Sequence, residues 1–126
     1  MKKYILFCVV IIFLNLVGIV YAGLPARQVV GIAQLKLDDL LRTEYWSHTN
    51  SNGCDLPCRL TGLTFSRYDE NLSLGTCDIR SVMAAWEASP SHKAVLDSTV
   101  GTDQLVIVMA KRWDGKCYTV LNSMKY

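Results

Sequence analysis

The 126-residue sequence contains no internal repeat, no low-complexity tract and no stretch with the composition of a linker. Histidine is also scarce, since only His48 and His92 are present. The missing repeats and linkers predict a single folded unit. Histidine is the side chain that most readily changes its charge near neutral pH and the commonest metal ligand. The positions of His48 and His92 are therefore the first place to search for a site.

A strong excess of one charge is missing as well. The chain has 13 basic and 11 acidic residues, and removing Lys2 and Lys3 of the N-terminal segment leaves 11 of each. No basic stripe remains that could attract nucleic acid or another acidic surface. The composition therefore gives no support to a nucleic-acid partner.

The N-terminal segment has the layout of a secretory signal peptide. Two lysines precede an apolar run over Tyr4–Ala22, and that run ends in the small-residue pattern Val-Tyr-Ala. This pattern predicts a signal peptide over residues 1–22, cleavage after Ala22, and one domain over residues 23–126 that is secreted or periplasmic. An uncleaved membrane anchor is the alternative, because the run is close to the ~20 residues that span a bilayer.

Four cysteines remain once Cys8 is set aside with the leader. An even number in a short exported chain predicts two disulfide bonds. Cys54 and Cys58 are so close in sequence that a bond between them closes a very short loop with little entropic gain. Each of them is therefore expected to bond to Cys77 or Cys117, although three pairings are open. A cysteine metal site is not indicated, since no second compact pair follows.

Hydrophobic periodicity predicts helices first and strands last. An amphipathic helix is expected within Pro25–Glu44, a short one in "DLPCRLTGL", and an extended segment in "TFSRYDENLSLG". A third helix is expected after Asp78, and Pro90 begins a fourth with Ser89 as its N-cap. The β-rich runs "QLVIVMAKRW" and "KCYTVL" are joined by Asp-Gly, a strong hairpin signal. The expected fold class is α+β.

The two histidines and Glu70 are the candidate site. His92 falls in the first turn of the helix that Pro90 begins, where the helix dipole favours neutral imidazole. His48 lies on a polar loop, and Glu70 precedes Asn71 in the extended segment. Two imidazoles and a carboxylate suit a zinc site with an open position or general acid–base chemistry. Isolated surface residues are the alternative, and neither H-E-x-x-H nor G-x-S-x-G occurs.

At these residues the sequence resembles the compact bacterial-type branch of the CAP superfamily, the SCP-like extracellular proteins. The resemblance runs from about Ala33 to Leu121, and its motifs come in the family's order. The matching pieces are Ser47-His48, Asn52-Gly53, Arg59, Gly62, the segment Glu70–Gly75 and the segment Trp86–His92. The set of motifs is specific, although each motif alone is weak.

The resemblance implies an α–β–α sandwich with a shallow cleft. His48, Glu70 and His92 fall on the family's cleft positions, with Asn71 beside them. Ser89 stands where relatives carry a second glutamate, and Glu87 is out of register with that position. The family usually begins with an additional helix. The mature chain has room for only one helix before His48, so the domain looks trimmed at its N-terminus.

Family function is diverse, and so several functions are expected from the resemblance. The first is a secreted binding or interaction module whose cleft holds zinc or another divalent metal at His48 and His92, with a protein or lipid-like ligand. The second is a metal-assisted hydrolase of peptide or cell-wall material that uses Glu70 as its base. The third is a non-catalytic structural remnant. A shared fold does not decide between them.

Overall fold

The computed structural model describes residues 8–10, 17–22, 27–60 and 62–126, which form helices and one antiparallel sheet. The presence of helices together with one antiparallel sheet confirms the α+β class. No helix in the described residues is long and apolar enough to cross a membrane. The elements are, in chain order, β1 (Cys8–Val10), β2 (Val17–Ala22), α1 (Arg27–Thr43), α2 (Leu56–Arg59), β3 (Arg67–Gly75), α3 (Ile79–Glu87), α4 (Pro90–Ser98), β4 (Gln104–Lys111) and β5 (Cys117–Lys125).

The sheet has the strand order β1-β2-β4-β5-β3, and all neighbours are antiparallel. The predicted hairpin is confirmed, since β4 and β5 pair along their whole length around the Asp114-Gly115 turn. Gly115 has a φ of 85°, a conformation that glycine adopts without steric cost. β3 pairs with the other side of β5 and is the last strand of the sheet, so the residues that it carries lie at an edge.

Part of the predicted leader lies outside the described residues, namely 1–7 and 11–16. Its remaining residues form β1 and β2, and β2 pairs with β4 in the register Val17↔Ala110 to Ala22↔Leu105. Cleavage after Ala22 stays a prediction. Such cleavage would remove both strands and make β4 the second edge of the sheet.

Helices cover both faces of the sheet because successive residues of a strand point to opposite sides. One face packs against α1 and the other against α3 and α4. The α1 face buries Val29, Ala33, Leu37, Leu40, Leu72, Val106, Val108, Ala110, Tyr118, Val120 and Met124. The other face buries Val82, Trp86, Leu96, Ile107 and Leu121.

The predicted helix starts after Asp78 and at Pro90 are confirmed. The Asp78 carboxylate accepts a hydrogen bond from the Ser81 amide, which caps α3. Pro90 is the first residue of α4, where its missing N–H costs nothing. Ser89 has the extended backbone of an N-cap, but its side chain makes no capping hydrogen bond. Its hydroxyl contacts His92 instead.

Two disulfide bonds are present, as predicted, but the favoured pairing is wrong. Cys54 bonds to Cys58 and Cys77 bonds to Cys117. Strand pairing explains the second bond, because Gly75 lies opposite Cys117 and so brings Cys77 beside it. The short α2 turn brings the Cα atoms of Cys54 and Cys58 to 5.3 Å, within bonding range.

Candidate functional site

The Glu70 carboxylate lies at the centre of a buried hydrogen-bond cluster on the α1 face of β3. Its Oε1 accepts from His48 Nδ1 at 2.9 Å and from Arg59 Nη2 at 3.1 Å. Its Oε2 accepts from Arg59 Nη1 and from Asn122 Nδ2, each at 2.8 Å. Only 2% of the Glu70 side chain is exposed, so water cannot replace these partners. Both carboxylate oxygens are therefore fully occupied by protein donors.

Arg59 joins the carboxylate to the loop that carries His48. Besides its two bonds to Glu70, Arg59 Nη2 donates to the carbonyl oxygen of His48 at 2.8 Å. Its side chain is 2% exposed. Local structure fixes its position, because Asp55 caps α2 and Cys58, the preceding residue, is held by the disulfide to Cys54. A planar guanidinium suits this two-point contact with a carboxylate.

Opposing effects set the charge of this cluster. Burial raises the pKa of Glu70, but hydrogen bonds from His48 and Arg59 outweigh it and hold that pKa below its usual range. Lys36 of α1 is also fully buried. Burial lowers the pKa of Lys36, while the charge of Glu70 acts in the opposite direction. Glu70 is thus an ionised carboxylate at neutral pH.

His48 is oriented by this cluster but remains open to solvent. An ionised carboxylate only accepts hydrogen bonds, so Nδ1 of His48 carries the proton that Glu70 accepts. This bond makes Nε2 the unprotonated nitrogen of the neutral ring. The side chain is 60% exposed. In the neutral form of His48, Nε2 therefore carries the lone pair, in a ring orientation that the hydrogen bond to Glu70 fixes.

His92 is held by a different set of contacts. Its Nδ1 lies 2.8 Å from Ser89 Oγ, and its carbonyl oxygen accepts from Asn71 Nδ2 at 3.0 Å. Glu70 and Asn71 are successive residues of β3, so their side chains leave opposite faces of the strand. The structure thus brings His48 to Glu70 and His92 to Asn71. Within the described part of the chain, no group of three or more His, Cys, Asp or Glu side chains is arranged to hold a metal ion.

Three contributors to these contacts were not among the predicted site residues. Arg59 matched only as a motif residue, Asn122 directly follows the predicted β-rich run, and Ser89 was noted as an N-cap and as the replacement for an acid. An amide that alternates with Val120 and Met124 on one face of the strand was the available signal for Asn122, because such a group is buried only with a partner. Arg59 gave no local signal of a contact with Glu70.

No protein-family model, curated protein or solved structure matches this chain. The geometry described above and the motif resemblance are therefore the two grounds on which a function can be argued.

The charge state of Glu70 predicts an acid-dependent loss of stability. A carboxyl whose pKa is lower in the folded than in the unfolded chain stabilises the fold above its unfolded pKa of about 4.3. That stabilisation is lost as the pH falls through the folded pKa. We expect the stability difference between wild type and Glu70→Gln, measured by urea unfolding, to shrink from pH 7 towards about pH 2. The exposed Asp97→Asn is the control, and a difference independent of pH would contradict the role assigned to Glu70.

Proposed function

We propose that this chain is an exported binding module of the CAP type in which His48 is the ligand-contacting group. The observation that carries the proposal is the buried Glu70 carboxylate, which fixes the His48 ring while the ring itself stays exposed. The ordered motifs support the family. The two disulfides, which are typical of oxidising compartments, and the leader-like N-terminus support export.

A divalent metal such as zinc is the first ligand to consider. Metal-binding histidines usually donate their other ring N–H to a carboxylate or carbonyl, which is the contact that His48 makes with Glu70. His48 would hold the metal through Nε2, with His92 as the second ligand that the motif resemblance implies. Glu70 does not fit the role of a ligand, because its two oxygens are already shared among four hydrogen bonds. A bound metal would supply a cationic centre for a lone-pair donor on the partner molecule.

The contacts of Glu70 favour binding over hydrolysis. A general base needs a free lone pair and a pKa near the working pH. The Glu70 oxygens accept from His48, Arg59 and Asn122, and its pKa is lowered. Glu70 is therefore better suited to orient an imidazole than to take a proton from water.

Zinc titration by calorimetry tests the proposal on chain purified without chelators. We expect one zinc per chain, no measurable binding by His48→Ala, and at least about tenfold weaker binding by His92→Ala. Glu70→Gln should weaken binding roughly 10–100-fold, as outer partners of metal ligands do. The exposed Glu87→Ala is the matched carboxylate control.

Two results would count against the proposal. Wild-type affinity in the His48→Ala/His92→Ala double variant would show that the histidines are not the ligands. Hydrolysis of a peptide library that disappears in a folded Glu70→Gln variant would favour the hydrolase over the binding module.

A further inference from the structure

Two tryptophans are exposed where the end of α1 meets the β4–β5 turn. Trp46 is 51% exposed and Trp113 is 84% exposed. Exposed apolar residues scattered singly need no explanation, but contiguous ones often mark a binding surface. Trp46 and Trp113 belong to one contact network, which also contains Glu44, Arg112 and Tyr118.

Trp46 is supported from beneath by a rigid residue. Its ring stacks on that of Tyr118, with centroids 6.1 Å apart and planes inclined by 25°. Tyr118 is 1% exposed and belongs to the core on the α1 face. One face of the Trp46 ring therefore rests on a fixed base, and its exposed part has a set orientation.

The indole N–H of Trp113 holds the ring in place through a hydrogen bond. Its Nε1 donates to Glu44 Oε1 at 2.8 Å. Glu44 has a φ of 56°, in the left-handed region that a residue with a side chain adopts only at an energetic cost. The hydrogen bond occupies the only polar atom of the indole. The apolar faces of the ring are left for another molecule.

The charged side chains within this network are paired with one another, and Lys116 lies opposite Arg112 at the turn. Arg112 forms a salt bridge with Asp114, lies 3.9 Å from Glu44 Oε1, and stands over the Tyr118 ring with Cζ 5.5 Å from its centroid. Its Nη1 also donates to the Tyr118 hydroxyl at 3.1 Å. The surface thus offers aromatic faces and hydrogen-bonding groups but no unpaired cation in this network.

We propose that Trp46 and Trp113 form a binding surface for a neutral glycan chain. A pyranose ring presents aliphatic C–H groups to an aromatic face and hydroxyl groups to carboxylates and guanidinium groups. Paired charges match an uncharged ligand, whereas an anionic membrane attracts clustered, unpaired Lys and Arg. Aromatic anchors with a few placed polar groups are the general make-up of a small-ligand site. This surface is separate from the Glu70 cluster and does not depend on the function proposed for it.

Titration of the full chain with cellohexaose and with chitohexaose, followed by tryptophan fluorescence and calorimetry, tests the proposal. We expect at least one of the two to bind, and Trp113→Ala and Trp46→Ala each to weaken that binding about tenfold, the loss of one stacking contact. Glu44→Ala, which frees the Trp113 edge, should have a smaller effect in the same direction. Val100→Ala and Leu35→Ala replace exposed apolar residues outside the network and should leave binding unchanged.

Leu74 distinguishes a glycan from an acyl chain or a protein partner. It lies opposite Tyr118 in the sheet and is 38% exposed, so it is an aliphatic neighbour of the stacked rings. Glycan binding should survive Leu74→Ala, and it should also survive His48→Ala/His92→Ala. Failure of both oligosaccharides to bind folded protein would overturn the proposal, as would unchanged binding by Trp113→Ala or an equal loss with Leu74→Ala. Trp113 is so exposed that its variant decides the question even if Trp46→Ala does not fold.

Discussion

Replacing Arg59 with alanine is expected to lower the free energy of unfolding by about 3–5 kcal/mol, because it removes the cation that is hydrogen-bonded to the buried Glu70 carboxylate. Arg59 supplies three of the hydrogen bonds in the cluster, two to Glu70 and one to the His48 carbonyl. The remaining donors to Glu70 are His48 and Asn122, and they carry no full positive charge when the imidazole is neutral. Urea unfolding at neutral pH measures the loss.

The control for Arg59 is an arginine that is itself exposed to solvent. Arg42 contacts Asp39 at 3.4 Å, but 73% of its side chain is in solvent, so Arg42→Ala should cost less than about 1 kcal/mol. The double variant Arg59→Met/Glu70→Met should recover much of the loss, because an apolar pair replaces a buried ion pair at little net cost. A loss of less than about 1 kcal/mol in Arg59→Ala would show that the carboxylate is not held as described.

Removing the Cys77–Cys117 disulfide is expected to destabilise the chain by about 4 kcal/mol, against about 2 kcal/mol for Cys54–Cys58. The two bonds span 40 and 4 residues respectively, and closing a longer loop removes more entropy from the unfolded chain. Cys117 is also buried at 3% exposure, so its replacement disturbs the core, whereas Cys58 lies in solvent.

The paired alanine variants Cys77→Ala/Cys117→Ala and Cys54→Ala/Cys58→Ala, compared by urea unfolding without reductant, test this difference. The second pair has an additional readout, because α2 carries Arg59 directly after Cys58. We expect its zinc affinity to fall more than that of the first pair. Equal loss of stability in both pairs would show that loop length does not govern their contributions.

Most of the secondary structure was predictable because it follows from local patterns. The apolar spacing of α1 and α3, the cap at Asp78, the start at Pro90 and the Asp-Gly turn each depend on residues within a few positions of one another. The burial of Lys36 could not be predicted from such local patterns. Lys36 is buried on the apolar face of α1 because its Nζ reaches the Thr49 carbonyl at 3.4 Å, a contact with a later loop.

The candidate site was predictable as a set of residue types but not as an arrangement. His48 and Glu70 are distant in sequence, and only the pairing of β3 with β5 and the position of α2 bring them together. The motif resemblance placed Glu70 and Asn71 beside each other in one site. Strand geometry sends their side chains to opposite faces, so each holds a different histidine. The disulfide pairing failed for the same reason, since strand register and not loop entropy brings Cys77 to Cys117.

The hydrogen bond from Trp86 to β3 has a consequence for self-association. An edge strand exposes unpaired backbone groups on which a second chain can extend the sheet, and natural proteins block such edges with side chains or neighbouring elements. Trp86 Nε1 donates to the Leu72 carbonyl at 3.0 Å, and α4 also contacts β3. Trp86 thereby occupies a backbone carbonyl of the edge strand β3 that a strand from a second chain would otherwise use.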